Sequence, residues 1–117
     1  MMLERIRQLE LDCAVLEPTA DVRRACTTEA IEFADSFLER LPDMDTFEPD
    51  RGASKQLDRP FAEQPSELPA LLEWLDGAVL HEGINPASGG HLGYIPGGGV
   101  YPAALGDYLA DVCNRYS

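Results

Sequence analysis

The stretch Gly89-Gly90-His91-Leu92-Gly93-Tyr94-Ile95-Pro96-Gly97-Gly98-Gly99-Val100-Tyr101-Pro102 is too apolar for a linker and too irregular for a core element. Its glycines permit close backbone approach to another group. Leu92, Tyr94, Ile95 and Val100 lie between them, and the segment runs directly into a helix start at Pro102. The free N–H groups of a first helical turn suit a carboxylate or phosphate. A loop of this composition lines a ligand pocket or serves as a flexible connection. It is neither a P-loop nor a dinucleotide fingerprint, because no Gly-Lys-Ser/Thr follows and Gly97-Gly98-Gly99 does not match Gly-x-Gly-x-x-Gly.

Helices are expected on both sides. Downstream, Leu105, Tyr108, Leu109, Val112 and Tyr116 form a helical stripe that meets neither Gly nor Pro before Ser117, which reads as a truncated helix. Upstream, Leu68, Leu71, Leu72, Leu75 and Val79 form the buried face of a helix starting at Ser66 as N-cap, with Glu67 and Pro69 in its first turn. Gly83 suits the position just past its end. Further back, Thr19 is a suitable N-cap for a helix whose stripe is Val22, Cys26, Ala30, Phe33, Phe37 and Leu41, ended by Pro42. Leu3, Ile6, Leu9, Cys13 and Leu16 form the first helix, up to Pro18. Between Pro42 and Pro65 the chain has Pro49, Gly52 and Pro60, with Phe47 and Phe61 as its apolar marks. This is longer than the roughly 12–15 residues that a compact domain leaves without structure. The expected fold is therefore mainly α, with about four helices, a long extended connection and the Gly-rich loop. Residues 1–65 form a helical arm and linker. Residues 66–117 form a helix, the loop and the start of the next helix. Such long connections argue against a self-sufficient bundle.

Composition narrows the function. A formal charge of −12, from nine Lys and Arg against twenty-one Asp and Glu, opposes binding to nucleic acid and to anionic membranes. No apolar run approaches the ~20 residues of a membrane span, and the charged N-terminus has no signal-peptide core, so a cytoplasmic location is expected. Cys13, Cys26 and Cys113 are read as buried free thiols on helix stripes. Lys55 is the only lysine and stands in a polar loop, unlike a Schiff-base lysine, which needs a dry pocket. His81 and His91 have no metal-binding spacing. Asp107 and Asp111 share a helix face, but a solvated acidic face explains them without a metal.

The run His91-Leu92-Gly93-Tyr94-Ile95-Pro96-Gly97-Gly98-Gly99-Val100-Tyr101-Pro102-Ala103-Ala104-Leu105-Gly106-Asp107-Tyr108-Leu109 resembles the early motif of the pyridoxal-phosphate-dependent group II decarboxylases. That family includes the aromatic-L-amino-acid, histidine and glutamate decarboxylases. Its pattern is a Gly/Ala-Tyr, a small-residue loop, and Tyr-Pro-x-x-Leu-x-Asp opening a helix. Asn114-Arg115-Tyr116 continues the pattern, and the likeness covers roughly residues 86–117. It implies the N-terminal arm of a fold type I enzyme, a homodimer whose N-terminal helices pack across the partner subunit. It also implies that Tyr94, Ile95, Pro96 and Gly97 line the substrate side of the pocket, and that Tyr116 reaches toward the neighbouring active site. The cofactor lysine, the Asp on the pyridine nitrogen and the catalytic-loop histidine would lie outside this chain. The chain alone is then expected to bind no pyridoxal phosphate and to be inactive, the amino-acid substrate being handled by the complete lyase. Gly97 stands where aromatic decarboxylases carry Thr, and Pro86-Ala87-Ser88-Gly89 stands where they carry Trp-His-x-Pro, which leaves the substrate unassigned. The alternative is a stand-alone acidic helical module that binds a partner protein through its apolar stripes.

Overall fold

The computed structural model describes residues 1–93 and 99–114. Among the described residues, four α-helices and two very short strands follow in the order α1 (Met2–Cys13), α2 (Ala20–Arg40), β1 (Phe47–Glu48), α3 (Leu68–Leu75), β2 (Gly83–Ile84) and α4 (Tyr101–Cys113). The mainly α architecture agrees with the periodicity. Thr19 caps α2, its Oγ1 accepting from the Val22 N–H at 3.4 Å. This satisfies one of the unpaired donors of the first turn. Pro69 and Pro102 stand in the first turns of α3 and α4, where a missing N–H costs no helix bond.

Several boundaries differ from expectation, each for a physical reason. Helix α3 starts at Leu68 after Glu67, and no side chain caps it, so Ser66 is not its N-cap. The helix continues to Leu80, as the stripe through Val79 implies, but its last stretch, Asp76–Leu80, widens into a π-turn. Gly83 then has φ of +91° inside β2, in the left-handed region that favours glycine, rather than closing the helix. Helix α4 closes within the chain. Asn114 adopts a left-handed conformation (φ 39°, ψ 50°) and its N–H donates to Ala110 O at 2.9 Å. Asn reaches this region more readily than other non-glycine residues, a terminator overlooked when only Gly and Pro are counted. The connection from Pro42 to Pro65 is not wholly extended. It holds a tight turn at Leu41–Asp43, strand β1 and a second turn at Ala53–Gln56.

The two strands pair antiparallel, Phe47 opposite Ile84 and Glu48 opposite Gly83. The pairing ties the middle of the chain to the segment after α3 and creates a region with interior character. Among the described residues, only Ala78 and Ser88 are buried. Phe33, Phe37 and Leu41 at the end of α2, and Leu68, Leu72 and Leu75 on α3, are half-buried where the two helices meet.

Beyond that region the apolar stripes are bare. Every described side chain of α1 and of α4 is exposed, as are Val22, Cys26 and Ala30 on α2. The chain exposes 10220 Å², whereas a folded monomer of its size exposes about 6,300 Å². Its radius of gyration is 18.8 Å, against about 13 Å for a compact domain of this length. The three cysteines are exposed, not buried. Their helix faces are apolar as periodicity implies, and the thiols themselves stand exposed on them.

Candidate functional site

The sequence-derived pocket residues Tyr94, Ile95, Pro96, Gly97 and Tyr116 lie outside the described residues. What the structure does assemble is a cleft of about 430 Å³ between the end of α2 with its following turn and the segment Val79–Pro86. Its walls include Arg40, Asp43, Asp45, Glu48, His81 and Glu82.

Asp76 anchors the charge pattern beside this cleft. Arg40 Nη2 donates to Asp76 Oδ1 at 2.8 Å and Nη1 to Oδ2 at 3.5 Å, while Arg40 Nε donates to Ser36 O at 3.3 Å. His81 Nε2 lies 3.3 Å from Asp76 Oδ2. Asp76 and His81 are five residues apart, and the π-turn between them shares that i to i+5 spacing. The hydrogen bond from Arg40 holds the Asp76 carboxyl below its usual range. Partial burial opposes this, and the charges of Arg40 and His81 add to it.

That depression makes a stability prediction. A carboxyl whose folded pKa is lowered stabilises the fold above its unfolded value, and the contribution fades as pH falls through the folded value. Asp76→Asn is expected to destabilise the α2–α3 junction by about 1 kcal/mol at neutral pH, the upper end for partly exposed pairs. The gap between wild type and variant should close below the ordinary aspartate value of about 3.9. Urea titrations followed by the fluorescence of Trp74, the single tryptophan, would measure it. A gap unchanged down to strong acid would show that Asp76 acts by packing instead.

The other polar groups also hold segments together. Glu82 accepts from the Arg51 N–H at 2.7 Å and the Ala53 N–H at 3.1 Å, so its carboxylate gathers the turn before Ala53–Gln56. Glu48 pairs with Arg51 at 3.3 Å. Ser88 Oγ donates to Met44 O at 3.0 Å and lies 3.3 Å from Thr46 Oγ1, and the Asn85 N–H donates to Thr46 O at 2.8 Å. Asn85 Nδ2 is buried without a hydrogen-bond partner among the described residues. The charges and hydroxyls of this region therefore clamp β1, the turns and α3 against one another.

The remaining chemical candidates are dispersed. Lys55 is exposed on the Ala53–Gln56 turn, and Asp107 and Asp111 are exposed on α4. Among the described residues, no group of three or more His, Cys, Asp or Glu side chains is placed to hold a metal ion. A phosphate-bearing cofactor does not fit the cleft: carboxylates dominate its rim, its one guanidinium is engaged by Asp76, and no lysine faces it. No described helix is long and apolar enough to cross a membrane. The Arg40, Asp76 and His81 set was not legible beforehand, because Arg40 and Asp76 are 36 residues apart and nothing local links them. No family model, curated protein or solved structure matches the chain.

Proposed function

We propose that this chain is the N-terminal portion of a pyridoxal-phosphate-dependent amino-acid decarboxylase, supplying dimer contacts and one wall of the substrate pocket. The observation that carries the reading is the run from His91 to Leu109, where a small-residue loop leads into Tyr101-Pro102 and a helix bearing Leu105 and Asp107. The bare apolar faces of α1 and α4 support it, because an arm of a larger enzyme has such faces to give to other parts. The loop Tyr94–Gly97 contributes shape and water exclusion in this reading, and Tyr116 contributes to the neighbouring subunit's site. Decarboxylation then takes place on groups that the rest of the enzyme supplies.

Reading the coding DNA beyond Ser117 tests the proposal. An in-frame continuation carrying a Ser/Asn-x-His-Lys-type motif is the expected result. A stop codon followed by unrelated sequence would overturn it in favour of a stand-alone acidic interaction module. A second expected result concerns the chain by itself. Incubation with pyridoxal phosphate and dialysis should leave no cofactor absorption band, because Lys55 is exposed in a polar turn and retains the solvated character of a surface lysine. A band that survives dialysis would mean that this segment holds the cofactor itself.

A further inference from the structure

We propose that residues 57–66 form a strap that closes Phe61 onto the outer face of α3, against Leu71 and Trp74. Phe61 is one of the two apolar marks of the long connection, and it stands 98% exposed. A groove of about 490 Å³ lies between the strap and α3, lined by Leu57 and Phe61 from the strap and by Leu71 and Trp74 from the helix. An apolar ring at the rim of such a groove is driven into it by the area that both remove from water.

The chain itself holds the ring beside its seat. Trp74 Nε1 donates to Gln56 O at 3.4 Å, and the Arg59 guanidinium lies 4.1 Å from the Trp74 ring centre. Phe61 follows two residues later, so its Cα stays within ~7 Å of that of Arg59. At the other end, the chain enters α3 at Leu68. Among the described residues, no hydrogen bond holds residues 60–65 in the open arrangement. Pro60 and Pro65 restrict φ on either side of the free stretch, which lowers the entropy lost on closing. A ring tethered in this way is present at millimolar effective concentration, ahead of a second copy or a partner at micromolar concentration. An aromatic pair with Trp74 adds to the burial. The outer face of α3 is thus covered by the chain's own residues, unlike α1 and α4, every described side chain of which is exposed. Closure involves only α3 and its strap, so it stands or falls apart from the decarboxylase reading.

Acrylamide quenching of Trp74, the single tryptophan, tests closure in the 117-residue chain at low micromolar concentration. Phe61→Ala is expected to raise the quenching constant about twofold, as the indole loses its cover, and Phe61→Leu to keep most of the protection. The Phe61 ring is 98% exposed in the open arrangement, so its removal leaves the fold intact. Leu92→Ala, at a site 92% exposed, is the control and leaves the constant unchanged. Nuclear Overhauser contacts between the Phe61 ring and the Leu71 methyl groups read closure directly, and they are expected to survive about tenfold dilution. Equal quenching of the wild type and Phe61→Ala overturns the proposal, as does the absence of ring-to-methyl contacts. Contacts that disappear on dilution overturn it too, because a second copy would then be what covers α3.

Discussion

Amide protons in α1 and α4 are expected to exchange with solvent at nearly unfolded rates, while those of α3 and of the β1–β2 region exchange about a hundredfold more slowly. The difference follows from what each element buries. Helix α1 has 12 residues and α4 has 13, and every described side chain of both is exposed. Below about 12–15 residues, helix propagation scarcely repays nucleation in water, and packing of an apolar face normally supplies the remainder. Neither helix has that packing. Helix α3, in contrast, buries Ala78 in its π-turn continuation and half-buries Leu72, Trp74 and Leu75. The Arg59 guanidinium lies 4.1 Å from the centre of the Trp74 ring, a cation–π contact that adds to the same region. The Asn85 N–H is bonded to Thr46 O across the strand pair. Mass-resolved hydrogen exchange on peptides from each helix measures the difference. Uniform protection along the chain would mean that α1 and α4 are covered in solution, which is what self-association through them would produce.

That contrast also explains which features were legible in the sequence. Periodicity and capping are local, so Thr19, Pro69, Pro102 and the stripes of α1, α2 and α4 could be read directly. Whether a stripe is covered is not local. Cys13, Cys26 and Cys113 were expected to be buried because their faces are apolar, yet all three are exposed. Two-residue strands carry no alternation to detect, so β1 and β2 could not be anticipated. The π-turn was hidden because a 3.6-residue period places Asp76 and His81 on different faces, while its i to i+5 spacing accompanies their approach to 3.3 Å. The cleft shares that limitation, since its walls come from segments about forty residues apart. The pocket residues Tyr94 to Gly97 and Tyr116 rest on the likeness to decarboxylases alone.

Gly90→Ala is expected to cost about 1–3 kcal/mol, the range of overpacking at a filled position, while Gly89→Ala changes stability by less than about 0.5 kcal/mol. The two glycines are adjacent in the stretch that leads to the Gly-rich loop, yet they serve different ends. A Cβ at Gly90 would lie 2.5 Å from Thr46 Oγ1, whereas a Cβ at Gly89 meets nothing within 4 Å. Neither position has the left-handed φ that Gly52 and Gly83 show, so the requirement at Gly90 is for space. Thr46 cannot yield cheaply. Its side chain is β-branched and restricted at χ1, its Oγ1 is 3.3 Å from Ser88 Oγ, and its carbonyl accepts from Asn85. Ser88 is itself buried and tied to Met44 O and to the Gly90 N–H. Added bulk at Gly90 therefore displaces Thr46 and strains the hydroxyl pair that joins the turn after α2 to the approach to the loop. Urea unfolding of both variants, followed at Trp74, separates this from a general loss of glycine flexibility. Flexibility would move Gly89→Ala and Gly90→Ala alike, whereas a close approach moves only Gly90→Ala. Thr46→Ser should then partly rescue Gly90→Ala, since serine keeps the hydroxyl but can rotate it away. A double variant no more stable than Gly90→Ala alone would place the obstruction in the backbone instead.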